Sequence, residues 1–511
     1  MEKINKSKRP GKGLLITLIV ILGILVLVVC GMFVLQYLKK SGYKGTVGQC
    51  IWTLDESGKA VIAGPGSLDG AITVTSGLGK PDFADVKEIV IQEGINVIPG
   101  SLMSKCKNVT KVTIPASVNA IEAYNITELP NLTEIAVAEG NTVYTVSDGV
   151  LYNKDMTELV AYASGKTDTE FTVPDSVVRI NINAFRYSSH LEKINLNASL
   201  TDLEDFAFID CPNLCEINVP DENEIFKSVE GNLFNLAENR LFRYAPAKTE
   251  SDYHLPDTVK RIEAGAFEGA VNLVNVSFPD GLMRIGVAGF YGCTNLSSVS
   301  LPESVTYVCE SAFAKCTNLT SISLPAEQTI IPKDIFWGCS SLANINLPEG
   351  ITSIESGAFS CCTSLVSVRI PGTVTYIGDN AFGGCSSLQM VELPSGILSI
   401  GNYSFSKCVA LQSIEVPSSV ASLGYASFSG CLSLTSITLP DSVTDIGDFA
   451  FYNCPSLNSV SLGSGIAKVG QAAFYGCDAL ANVSYAGTPN DWAKVVVGED
   501  NKPLVGSIQF K

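Results

Sequence analysis

YIGDNAFGGCSSLQMVELPSGILSIGNYSFSKC, from Tyr376 to Cys408, contains Ala-Phe-x-x-Cys and then Ser-Phe-x-x-Cys, with Phe382 and Phe405 23 residues apart. The same spacing carries Phe267, Phe290, Phe313, Phe336, Phe359, Phe382, Phe405, Phe428, Phe451 and Phe474 without a slip. Ten phenylalanines in one phase mark an internal repeat, because unrelated domains would not hold a common period. Upstream, Met103 and Ile126 take the Phe position and Phe185 and Phe208 restore it; the gaps 126 to 185 and 208 to 267 are both 59 residues. Each long gap is one unit plus an insertion of 36 residues.

Within a unit the other apolar positions recur too, as Leu388, Val391, Leu393, Ile397, Ile400, Phe405, Cys408 and again as Leu434, Ile437, Leu439, Val443, Ile446, Phe451, Cys454. Alternation around Ile437 and Leu439 predicts a short strand closed by Pro440, which cannot donate to a ladder. A second extended piece follows at Val443 to Ile446, Gly447 permits a bend, and Asp448 through Cys454 is expected to form a helical turn. So small a unit cannot bury its apolar edge alone, so successive units must stack, each covering the next. The expected fold is a β-rich α/β solenoid, a curved rod of short parallel strands and helical turns, roughly 70 Å long at about 4.8 Å per coil.

The pattern Leu365 to Pro371 followed by Thr373 to Cys385 reads L-x-x-V-x-I-P and then T-V-x-x-I-G-x-x-A-F-x-x-C, and it resembles the BspA-type bacterial leucine-rich repeats. The resemblance covers about residues 48 to 510. It extends to a leading segment with Gly48, Cys50, Trp52, Leu54, Asp55 and Gly58, and to a closing one with Tyr485, Gly487, Thr488 and Trp492. Asp148-Gly149-Val150-Leu151-Tyr152 and, less faithfully, Glu230-Gly231-Asn232-Leu233-Phe234 are similar to that family's hairpin. The resulting division is a cytoplasmic tail 1–13, a transmembrane helix 14–35, a linker 36–45, an N-terminal cap 46–85, a solenoid 86–480 and a C-terminal cap 481–511. Hairpin inserts are expected near 138–170 and 221–252. The resemblance implies a bacterial source and a role in adhesion to host matrix or other cells.

Lys3, Lys6, Lys8, Arg9 and Lys12 precede an uncharged apolar run from Leu14 to Leu35. As a helix it would span roughly 33 Å, enough for a hydrocarbon core. The basic residues before it should stay inside, which places everything after Lys39 outside a plasma membrane crossed once. A cleaved signal peptide competes with this reading, but its apolar core is typically about 7 to 15 residues and no small-x-small site follows here. Leu27-Val28-Val29-Cys30 loosely resembles a lipoprotein cleavage box, with Val29 where a small residue is expected. The chain carries a net charge of −17, and the part beyond the anchor is more acidic still, so nucleic acid and anionic lipid are repelled and partners should be neutral or basic.

Eleven of the 16 cysteines follow the repeat Phe position by three residues: Cys106, Cys211, Cys293, Cys316, Cys339, Cys362, Cys385, Cys408, Cys431, Cys454 and Cys477. In a stack they form a column pointing one way, whereas a disulfide needs Cβ atoms roughly 3.5 to 4.5 Å apart with the sulfurs turned together. The column is therefore expected to be reduced and buried, a small-hydrophobe use of Cys. Ala270 and Ser188 fill it elsewhere, which a metal ligand would not tolerate. Cys50, Cys215, Cys309 and Cys361 lie off the column, where an oxidising exterior could pair some of them.

His190 and His254 are the only histidines, both at expected surface positions, and no nucleophile elbow, zinc-helix, phosphate-loop or complete calcium-loop motif occurs. No catalytic, metal or cofactor site is expected. Binding is the function class left, with an enzyme the distant alternative. Outward strand positions are mostly Ser, Thr and Asn, relieved by Arg369, Glu392 and Glu415, and such a face would also serve as a solvated surface without a partner. Aromatics one residue after the Phe phase, Tyr291, Trp337, Tyr452 and Tyr475, are the better candidate anchors for an extracellular protein or glycan, with packing under an adjacent turn as their competing role. Only about ten residues separate Leu35 from the predicted cap, a reach of at most about 35 Å, so a scaffold bound to the cell's own wall or secreted proteins stands beside adhesion.

Overall fold

The computed structural model describes residues 42–510 apart from 69–71, 77–82, 101–102 and 123–124. The proposed membrane segment Leu14 to Leu35 lies outside the described residues. Among the described residues no helix is long and apolar enough to cross a membrane. The chain forms two compact units, one comprising the described residues to Lys166 with Asn183–Tyr187, the other Thr167–Ile182 and everything from Ser188.

In the first unit Tyr43–Val47, Cys50–Leu54 and Lys59–Ala63 form an antiparallel meander, with Ile72–Ser76 on its outer edge. Lys59–Ala63 then runs parallel to Glu88–Ile91, which is followed in the same sheet by Lys111–Ile114 and Glu134–Val137. Strand polarity thus changes at Lys59–Ala63, which lets a locally folded hairpin begin a stack of parallel coils. Tyr144–Ser147 and Val150–Asn153 make an antiparallel hairpin. It is pinned by buried Asn141, whose amide donates to the carbonyls of Pro115 and Val118 and whose Oδ1 accepts from the N–H groups of Val143 and Tyr144.

The second unit repeats that arrangement at Phe226–Val229 and Asn232–Asn235. Asn223 has the role of Asn141, bonding to the carbonyls of Asn197 and Leu200 and to the N–H groups of Ile225 and Phe226. Beyond it the coils stack in register. The second extended piece of each repeat, such as Ser353–Ile354, Tyr376–Ile377 and Ser399–Ile400, contributes to an eight-stranded parallel sheet from Ile330–Ile331 to Val496–Val497. The first piece, such as Ser436–Leu439, Ser459–Leu462 and Asn482–Tyr485, forms shorter parallel ladders. Between the two sides the phenylalanines from Phe267 to Phe474 stack with ring centroids 4.6 to 6.2 Å apart, and every one is fully buried.

The expected helical turn does not form. Segments such as Asp379–Cys385 are consecutive tight turns, and the only α-helices among the described residues are Pro489–Trp492 and Lys502–Val505. The residues two before and two after each Phe are left-handed, as in Asn380 at φ 57° and Gly384 at φ 76° around Phe382, and two such residues per segment prevent a helical run. Hydrogen bonds account for the alternation. Ala381, Gly383 and Cys385 donate to carbonyls three residues back in their own coil, while Asn380, Phe382 and Gly384 donate to Asn402, Ser404 and Ser406 of the next coil. Each buried N–H is satisfied, half locally and half by the neighbour.

The glycine four residues before Phe also has a different purpose from the expected bend. Gly447 is not left-handed; a Cβ there would lie 2.6 Å from the backbone of Gly424 in the preceding coil. Gly378, Gly401 and Gly424 are equally confined, at 2.6 to 2.9 Å from the preceding coil's backbone. Close approach between coils is what excludes a side chain here.

Candidate binding surfaces

The thiol column is buried throughout, and it does more than fill space. From Cys293 to Cys477 each Sγ donates to the carbonyl of the Phe in the preceding coil, 26 residues back, at 3.0 to 3.2 Å. That carbonyl also accepts the N–H three residues ahead in its own turn, as Phe382 does from Cys385, so both of its lone pairs are used. Removal from water pushes the thiols from Cys293 to Cys431 up, to about 12 for Cys339 and Cys431, which makes them inert donors and poor nucleophiles. Off the column, Cys50 and Cys309 are buried while Cys215 and Cys361 are exposed. His190 and His254 are both exposed. No group of three or more His, Cys, Asp or Glu side chains among the described residues is placed to hold a metal ion.

The four aromatic candidates separate into two pairs. Tyr291 and Trp337 belong to coils two apart and are joined by Lys315 of the coil between, whose Nζ lies 5.1 Å from one ring centroid and 4.9 Å from the other. Both rings are half-buried, and each spends a face on the lysine, a cation–π arrangement worth about 0.5–1 kcal/mol per contact at an exposed site. Their packing role is satisfied within the chain.

Tyr452 and Tyr475 instead stack on one another, 5.5 Å apart and 10° from parallel, and both are exposed. They continue a strip that the one-after-Phe position alone does not reveal. Phe449 meets Tyr452 edge-on at 5.6 Å, Tyr425 meets Phe449 at 5.4 Å, and Tyr403 meets Tyr425 at 5.1 Å. Tyr403 and Tyr425 are also exposed, 44% and 40%. Five aromatic side chains from four consecutive coils therefore form one continuous edge. The backbone beneath is held by the intercoil ladder, with Tyr403 donating to the carbonyl of Tyr425, and Tyr425 N–H also accepted by Asn402 Oδ1 at 2.8 Å. A rigid row of rings with hydroxyl tips suits a surface that buries apolar area while still hydrogen-bonding.

The charged candidates sit on the other side of the coil. Ser367–Arg369 and Met390–Glu392 pair in parallel with Arg369 opposite Glu392, yet Arg369 makes its ion pair with Glu349, at 3.0 Å. Glu415 occupies the equivalent position one coil beyond Glu392, and both glutamates are exposed. Elsewhere on this face Ser298, Ser321 and Ser436 leave a hydroxyl surface of low relief.

Among solved structures, the chain is similar to a leucine-rich repeat protein from Eubacterium ventriosum, at 23% identity over 76% of this chain and 94% of that one, with a TM-score of 0.43. It is also similar to a leucine rich cell surface protein from Faecalibacterium prausnitzii, at 20% identity over 89% and 97% with a TM-score of 0.39. A leucine-rich repeat protein from Bacteroides ovatus matches at 23% over 72% and 97%, with a TM-score of 0.38. No curated protein matches the chain. Family comparison matches the BspA type leucine rich repeat region in six copies, across residues 78–167, 161–241, 237–366, 312–435 and 398–491. With most of its length accounted for by these copies, the buried Phe and Cys columns included, the chain belongs to the BspA type leucine-rich repeat family.

Proposed function

We propose that this is a non-catalytic bacterial surface protein, anchored by Leu14 to Leu35 as a single transmembrane helix, whose exterior solenoid recognises other macromolecules in adhesion. Segments 46–85 and 481–511 act as caps that keep the solenoid's ends from exposing its core. The observation that carries the reading is the exposed aromatic edge from Tyr403 to Tyr475. In a chain whose other large apolar side chains are mostly spent on stacking, it concentrates the residue types that dominate protein recognition. Affinity would build from many modest contacts along the array. A protein partner is favoured over a glycan because exposed tyrosines are among the residue types that anchor protein interfaces. A second reading, a scaffold bound to the cell's own envelope, is supported by the short stretch between Leu35 and the first described strand at Tyr43.

Protease treatment of intact cells separates the two. Release of solenoid peptides is expected for adhesion, and protection until the wall is digested for the scaffold. Replacing Tyr403, Tyr425, Tyr452 and Tyr475 together with Ser should abolish attachment of expressing cells to immobilised matrix proteins while leaving the unfolding midpoint nearly unchanged. Undiminished attachment would refute the aromatic edge as the recognition surface.

A further inference from the structure

On the strand face the parallel pairing comes in short ladders, interrupted after Asn275–Ser277, after Asn346 and again after Met390–Glu392. The next coil contributes no strand to Met390–Glu392, and its one ladder contact on this face runs forward, from Glu415 to Thr438. Between the two coils lies a cleft of about 600 Å³, lined by Met390, Glu392 and Leu393 on one side and Ser413, Glu415 and Pro417 on the other. Glu392 and Glu415 stand at equivalent positions on its two walls, and neither has an ion-pair partner among the described residues. Arg369, on the far side of Glu392, is held by Glu349. Met390 is 58% exposed, which leaves an adaptable apolar surface beside the two carboxylates.

We propose that this cleft is a docking site for an arginine side chain presented by an extended segment of a partner protein. The guanidinium lies between Glu392 and Glu415, and its methylenes run along Met390 and Leu393. A planar fork with five donors can serve two carboxylates on opposite walls, and it is less strongly hydrated than an ammonium group. The chain's net charge of −17 raises the local concentration of a basic segment before contact. The proposal rests on the protein-recognition reading but places its contact on a different face from the aromatic edge, so either can fail alone.

The test uses the full-length chain and a fluorescein-labelled peptide, Gly-Arg-Gly-Arg-Gly, followed by fluorescence anisotropy at about 0.15 M salt, where long-range attraction is screened. The same peptide with citrulline in place of arginine keeps the shape and removes the charge. The arginine peptide should bind at least about tenfold more tightly than the citrulline one, and E392Q/E415Q should weaken it by about tenfold. E303Q/E327Q makes the same change in net charge at exposed positions outside the cleft and should change binding less than about twofold. Equal losses in the two double variants would reduce the effect to bulk charge and overturn the site. Equal binding of the two peptides would overturn it as well. In either case loss of attachment on changing the tyrosines would still stand, whereas retained attachment with peptide binding would sink the aromatic edge and spare the cleft.

Discussion

Phe382 lies with its ring between those of Phe359 and Phe405, at 5.3 and 5.4 Å and within 8° of parallel, so removing it opens two intercoil contacts at once. Phe382→Ala should cost about 3–5 kcal/mol in urea unfolding. Cys385, three residues on, loses much less on becoming alanine. Only a sulfur and one S–H···O bond to Phe359 disappear, and Ala270 occupies the same column naturally with full burial. Cys385→Ala should cost about 1–2 kcal/mol. A cost as large as that of Phe382→Ala would mean that the thiol bonds, not the rings, hold the coils together.

At the scale of the coil, spacing is set by the backbone. Intercoil hydrogen bonds from alternate turn residues draw neighbours together, and at Gly378, Gly401, Gly424 and Gly447 only a hydrogen fits, although Cys309, Pro332 and Glu355 hold the same position in other coils. Gly424→Ala would place its Cβ 2.6 Å from the backbone of Asn402 and Gly401, with no flexible side chain to yield. It should destabilise by about 1–3 kcal/mol, as overpacking does. Gly372→Ala, with nothing within 4 Å of the new carbon and no left-handed φ, should fall within about 0.5 kcal/mol of the parent. Equal costs for both would show that backbone entropy, and not crowding, is what these glycines supply. The final turn has a counterpart of the missing neighbour: Asn501 Oδ1 accepts the Phe474 N–H at 3.0 Å and Glu499 accepts that of Ala472. A side chain and a loop thereby do what the next coil does elsewhere.

For the molecule as a whole, the thiol column couples stability to alkaline pH. Burial holds the folded thiols from Cys293 to Cys431 above the ordinary thiol range, at about 12 for Cys339 and Cys431, so the folded state keeps protons that the unfolded state has released. Stability is therefore fully present below about pH 9 and declines as pH rises toward 12. Thermal midpoints under reducing conditions should fall across that window, and replacing Cys339 and Cys431 with Ala should flatten the fall; an unchanged slope would assign the loss to other groups. The period of 23, the stacking, and the buried Phe and Cys columns were legible in the sequence, because equivalent residues recur at equivalent positions and a repeat must bury what it repeats. The turn geometry was not. Two residues after Phe the left-handed site is mostly glycine, but two before it the same conformation is carried by Asn380, Tyr403, Ala426 and Phe449, so there no residue type announces it and hydrogen bonds from the next coil impose it. The aromatic edge was hidden for a related reason. Tyr403 and Phe449 lie two residues before the repeat Phe, Tyr425 three before and Tyr452 one after, so rings from three positions of the repeat become neighbours only when the coils are stacked. Chemistry that recurs within the period could be read along the chain, while surfaces assembled across coils, the aromatic edge and the cleft at Glu392 and Glu415, were decided by the tertiary structure.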